Sequence, residues 1–255
     1  MKTTTVANQK GGVGKTATTV HLAHAALELG KRVVVIDLDP QANASTSLSA
    51  YTSPLTSPEL FQAGVDIQGA LASYAGDQAC LAVISGADAL ANLEKFEWGD
   101  VAPVFKSSLQ SIAEMGFDVC IIDTPPTIGN AMASALFASD FVLSPIEPEQ
   151  FSMDGIRKMG AVITNMRPHN PGLQFLGMVP NMVDRRNEDH TANLKALYES
   201  FPALMLPPIY LGVNIARAVT SGIPVWKSKK TAARKDAKHI KAVAQYVFDK
   251  MEIAQ

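Results

Sequence analysis

The chain has 255 residues, 47% hydrophobic and 18% charged, with a formal net charge of −2, values that fit a folded globular protein and exclude a disordered or fibrous one. No apolar run is long enough to cross a bilayer, and the N-terminus enters a polar, glycine-rich stretch at Asn8 without the apolar region of a signal peptide, so a cytoplasmic protein without stable membrane association is expected. The two cysteines, Cys80 and Cys120, stand far apart and in no C-x-x-C arrangement, which suggests neither a disulfide framework nor a zinc site, and Cys120, in the apolar run 119–122, is expected as a small buried hydrophobe.

In chain order, β-rich apolar stretches alternate with segments of helical period, the pattern of parallel βαβ units. Strands are predicted at 3–7, 32–37, 79–84, 117–123, 141–145, 173–179 and 203–207, and helices at 15–29, 66–73, 104–115, 130–138, 153–166, 191–201, 215–221 and 232–251. Gly30 stops the first helix, and the stretch 51–58, with its prolines and serines, is the expected loop. The fold class implied is α/β: a single domain over 1–255 with a mostly parallel, twisted sheet flanked by helices. The first strand begins at once, so no N-terminal helix-turn-helix domain is expected.

Gln9-Lys10-Gly11-Gly12-Val13-Gly14-Lys15-Thr16 follows the first strand and opens the first helix. Glycines let the backbone wrap until its N–H groups point at phosphate oxygens, and the helix N-terminus adds positive potential. This is a P-loop in which Gly11 to Ala17 cradle a nucleotide, Lys15 reaches the β and γ phosphates and the Thr16 hydroxyl ligates Mg²⁺. A strict P-loop has glycine where this chain has Gln9.

The second strand ends in Asp37-Leu38-Asp39-Pro40-Gln41. Alternate residues of a strand share a face, so Asp37 and Asp39 are expected to project together at the sheet edge, one carboxylate supporting Mg²⁺ and the other orienting a water. Phe117 to Asp123 is an apolar strand ending in an acid, a Walker B pattern in which Asp123 holds Mg²⁺ through water. The segment 227–241 carries seven Lys or Arg and one acid, Asp236, leaving −8 on the rest of the chain; such a run is either a solvated helix face or a phosphate-binding surface.

The loop KGGVGKT, the DxDPQ segment at Asp37 to Gln41 and the Walker B strand with Thr124-Pro125-Pro126 together resemble the ParA and MinD family of deviant Walker A ATPases. The resemblance covers nearly the whole chain and is strongest at 8–18, 36–41 and 119–126. It implies an ATPase, a P-loop NTPase using ATP and Mg²⁺, in which Lys10 acts across a dimer on the partner's nucleotide, Asp39 positions the attacking water and Asp37 is an outer-shell magnesium partner. Asn181, at the end of Val179-Pro180-Asn181, is implied as the adenine reader. Asp154 is either a dimer-interface acid or a helix-start acid. Family members often carry a second hydroxyl where this chain has Ala17.

The family reading also favours DNA for the basic segment, through Lys227, Lys229, Lys230, Arg234, Lys235 and Lys238. The function implied is a switch that forms a homodimer on ATP, binds non-specific DNA at the nucleoid and hydrolyses ATP under a cargo-bound ParB-like adaptor, to segregate a plasmid, chromosome or other cargo. The rivals are a MinD-like membrane ATPase, which needs a terminal amphipathic helix, and a metabolic P-loop kinase or ligase, which has no use for Lys10. A nitrogenase-iron-protein-like reductase needs cluster cysteines, and neither cysteine suits that role.

Overall fold

The computed structural model describes residues 1–149 and 152–253. Among them one seven-stranded sheet is built from β1 (Lys2–Val6), β2 (Arg32–Asp37), β3 (Thr52–Thr56), β4 (Cys80–Ser85), β5 (Val119–Asp123), β6 (Phe141–Ile146) and β7 (Gln174–Pro180). The order is β3-β4-β2-β5-β1-β6-β7 and every pairing is parallel. The helices are α1 (Lys15–Glu28), α2 (Asn43–Ser47), α3 (Ile67–Ala70), α4 (Trp98–Glu114), α5 (Asn130–Ala138), α6 (Ser152–Met166), α7 (Glu188–Ser200), α8 (Val213–Ser221) and α9 (Thr231–Lys250), joined in places by short 3-10 turns.

The central strands β2 and β5 read as unbroken apolar runs because helices cover both faces of the sheet. Alternation still sorts their side chains. Val33, Val35, Val119 and Ile121 share a core with α1, α8 and α9, whereas Val34, Ile36, Cys120 and Ile122 share one with α4 and α5. By the same alternation Asp37 and Asp123, which are register partners at the ends of β2 and β5, fall on the α1 side. β1 lies between β5 and β6 while the chain crosses from β1 to β2, so the crevice at its C-terminal end is where a ligand is received in folds of this kind.

Four expectations need correction. The stretch 51–58 is not a plain loop: Thr52–Thr56 is the edge strand β3, followed by a 3-10 turn with a capping box between Thr56 and Glu59. The strand expected at 203–207 shrinks to a single bridge between Met205 and Met178, flanked by backbone bonds involving Leu204 and Leu206, because Pro207 and Pro208 have no N–H to continue a ladder. The helix expected at 66–73 ends as a helix at Ala70 and gives way to a 3-10 turn. The helix expected from 104 begins at Trp98, with Pro103 inside it. The loss of one backbone bond at Pro103 is outweighed by the stripe Val101, Phe105, Leu109 and Ile112, all buried. Gly30, at φ 74, closes α1 as expected.

The apolar side chains of the last turns of α9 and of Met251, which caps it, are committed to the core: Val243, Val247, Phe248 and Met251 are 0–3% exposed. No helix among the described residues is long and apolar enough to cross a membrane.

Candidate functional site

The loop after β1 is pinned before it wraps. Asn8 donates to the Pro145 carbonyl (2.7 Å) and accepts from the Lys10 N–H (2.8 Å), which fixes the entry to the turn against β6. Gly12 and Gly14 then take φ of +78° and +92°, a region where only glycine is unstrained. A Cβ on Gly14 would also overlap the Asn181 amide, whose Nδ2 donates to the Val13 carbonyl (2.8 Å). Lys15 and Thr16 follow as the first residues of α1, whose N-terminal N–H groups face the same space.

That space is a cleft of ≈ 570 Å³. Gly11, Gly12, Gly14, Lys15 and Thr16 form its floor, Asp39 and Pro126 stand on its walls, and Thr46, Ser47, Val219 and Thr220 close it from α2 and α8. Lys15 as a residue is almost buried, 8% exposed, and its ammonium donates to the Lys10 carbonyl (3.2 Å). Burial holds its pKa below the ordinary lysine value, against the pull of Asp123 and Asp39. A poorly solvated ammonium beside orphan N–H groups is a strong seat for phosphate.

The acids do not project as a pair. Asp37 is fully buried and outside the cleft lining, its carboxylate accepting from the Asp39 N–H (3.1 Å), the Ser45 N–H (2.9 Å) and the Ser45 hydroxyl (2.7 Å). It therefore ties the start of α2 to the sheet edge, while Asp39 alone lines the cleft. Asp123 accepts from the Thr16 hydroxyl (2.7 Å) and the Thr19 hydroxyl (3.3 Å). Burial raises the pKa of both Asp123 and Asp37; the neighbouring Asp37 charge adds to the effect at Asp123, and Asp39 adds to it at both.

These groups fit Mg²⁺. The Thr16 hydroxyl and the Asp123 carboxylate are hard oxygen donors already in contact, and crowded carboxylates gain from a dication. Among the described residues no three His, Cys, Asp or Glu side chains form a metal cage.

Lys10 turns away from Lys15. Its ammonium, half exposed, donates to Glu147 (3.1 Å) and Glu149 (2.5 Å), acids on the loop after β6 that sequence reading did not single out. Partial burial works against its charge, but these two bonds hold its pKa above the ordinary value. Asn181 sits behind the loop with Ala17, Thr18 and Ile209 rather than in the cleft. The side chain of Asp154 lies outside the described residues. Other partners missed were Ser45 and the wall of α2, a five-residue helix with no apolar period to announce it.

Lys227, Lys229, Lys230, Arg234, Lys235 and Lys238 are all exposed. Only Arg234, Lys235 and Lys238 stand on α9; Lys230 precedes it and Lys227 ends a 3-10 turn. Lys227 lies 3.8 Å from Glu28, and Lys241 covers the Trp226 ring at 5.2 Å.

A family model described as an AAA domain matches residues 1–175. The chain is 50% identical over 259 residues to Protein IncC of Escherichia coli, covering 100% of this chain and 71% of that protein. It is 33% identical over 194 residues to the chromosome partitioning protein ParA of Caulobacter vibrioides, covering 71% and 70%. The ATP complex of a McdA variant from Cyanothece matches 100% of this chain and 98% of its own, with a TM-score of 0.83 at 25% identity.

Proposed function

Because the chain belongs to the ParA family of partition ATPases, we propose that ATP with Mg²⁺ closes two copies of it into a sandwich dimer that holds DNA without reading sequence, and that hydrolysis opens the dimer. The cargo is a plasmid or a comparable body, coupled through a ParB-like adaptor that speeds hydrolysis. Lys15 and the loop N–H groups bind the phosphates, Thr16 and Asp123 hold the metal with Asp37 behind them, and Asp39 orients the attacking water. Bound Mg²⁺ would offset the charge that develops on the phosphate oxygens. Asn181 reads the base, which requires it to leave or share the Val13 carbonyl.

The observation that carries this reading is Lys10 at the rim of the phosphate loop. A lysine needed only for its own copy's nucleotide has no reason to face outward. Its pairs with Glu147 and Glu149 are partly exposed, and contacts of that kind contribute on the order of 1 kcal/mol or less, so the ammonium is free to exchange them for a partner copy's phosphate. The burial of the α9 apolar face favours DNA over a membrane as the surface held.

Gel-shift titrations on two unrelated duplexes, with ATP or ADP and light scattering in parallel, test the proposal. Equal affinity for both duplexes, seen only with ATP and only in the dimer, is expected. Binding to anionic liposomes in place of DNA would overturn it.

A further inference from the structure

Lys10 lines a hollow of ≈ 200 Å³ with Asn8, Val13, Ile146, Glu147, Glu149 and Gly155, none of which lines the nucleotide cleft. Its main chain is fixed on both sides: the N–H donates to Asn8 Oδ1 (2.8 Å) and the carbonyl accepts from Lys15 Nζ (3.2 Å). Asn8 in turn donates to the Pro145 carbonyl (2.7 Å), two residues before Glu147, so the loop keeps its place on β6 through contacts other than the acids. The Lys10 side chain is left to move. Two carboxylates hold it, Glu147 at 3.1 Å and Glu149 at 2.5 Å, and they occupy two of the three donors of one ammonium.

The closed dimer needs that ammonium elsewhere, on the partner copy's phosphate. A single copy and the dimer therefore compete for one cation. Where the competent state is only a fraction of the population, apparent affinity falls by that fraction. In a two-fold interface both copies must be competent, so the fraction enters squared. Each partly exposed pair is weak by itself, yet both pairs break on both copies when the dimer closes. With roughly one copy in three free of its acids, the dimer is weakened about tenfold.

We infer that Glu147 and Glu149 are a brake on dimerisation: they hold Lys10 on its own copy and so set the protein concentration at which the ATP dimer forms. Neither acid touches the phosphates in this role; both act through Lys10. The assignment rests on the role of Lys10 across the dimer given above, and it fixes a sign, because removing the acids should tighten the dimer.

The test is sedimentation of the full chain over a series of concentrations, with Mg²⁺ and a non-hydrolysable ATP analogue. It compares the wild type, Glu147→Gln, Glu149→Gln, the two together, and Glu199→Gln with Glu252→Gln, which removes two charges at exposed positions elsewhere. The Glu147→Gln, Glu149→Gln pair is expected to lower the dimer dissociation constant about tenfold. Each single change gives less, the distant pair gives nothing, and affinity of the dilute monomer for the analogue is unchanged throughout. The same two changes should not restore a dimer to Lys10→Ala, since the brake has nothing to hold there. An unchanged dissociation constant overturns the assignment. A weaker dimer also overturns it and would place the acids in the closed interface as supports for Lys10. Equal tightening by the distant pair, or a dimer restored in Lys10→Ala, would make the effect one of charge repulsion between copies and sink the brake as well. Failure of the wild-type protein to dimerise with the analogue would instead remove the underlying reading, and the assignment with it.

Discussion

At the nucleotide edge each charged group has a partner a few ångströms away: Lys15 has the Lys10 carbonyl, Asp37 has Ser45, and Asp123 has Thr16 and Thr19, and these three are at most 8% exposed. On the cationic surface Lys229, Lys230, Arg234, Lys235 and Lys238 stand in solvent. The first region is preorganised, with donors and acceptors aimed before any ligand arrives. The second is a field, in which no single charge is indispensable and salt competes with all of them. Substitutions should accordingly be all-or-none at one and graded at the other.

The largest effect is expected at Lys15. Lys15→Ala removes the buried lysine that lines the cleft and should lower ATP affinity about a hundredfold or more, read by calorimetry. Asp39→Ala tests the same edge from its wetter wall: ATP affinity should stay within a few-fold while turnover falls about a hundredfold and the ATP dimer accumulates. Normal turnover in that variant would return Asp39 to the solvated acids. At the other region, Arg234→Glu with Lys235→Glu should weaken DNA binding about tenfold or more and flatten the salt slope by about 2, leaving ATP-driven dimerisation intact. Loss of all binding from either single change would break the comparison, because it would show a fixed contact where a field is inferred.

The contrast also explains what the sequence disclosed. The phosphate loop, β2 and β5 were legible because local chemistry and burial agree there: glycines at positive φ, apolar runs on strands covered on both faces, and an acid closing each run. Asp37 was located but its direction was not, since its partner Ser45 sits on α2, whose Asn-Ala-Ser-Thr-Ser sequence has no apolar period. The tether of Lys10 to Glu147 and Glu149 joins residues 137 and 139 positions apart, beyond the reach of any spacing rule. β3 was missed because Thr-Ser-Pro-Leu-Thr looks like a turn, although a proline is tolerated on an edge strand.

The seam between the two regions carries the most particular prediction. His21 of α1 has its ring Nδ1 2.7 Å from the Ala17 carbonyl, and its Nε2 accepts from the Val225 N–H (3.3 Å), with Trp226 packed beside it at 5.7 Å between ring centres. The ring can serve both contacts only while neutral, with the proton on Nδ1. Burial lowers its pKa to about 4, against the Ala17 bond, and the neighbouring His24 lowers it further. The folded value lies below the unfolded value near 6.5, so the unfolded chain takes up the proton first. This contribution to stability is full above about pH 6.5 and is lost as pH falls through about 4. Between pH 7 and pH 5 the wild-type protein should lose roughly 2 kcal/mol through this ring, and His21→Phe, whatever its stability at pH 7, should lose correspondingly less. Urea denaturation at a series of pH values reads the difference in slope. An unchanged slope would mean that the turn bearing Trp226 and Lys227 is held to the nucleotide helix by packing alone, and that the two regions meet without a titratable link.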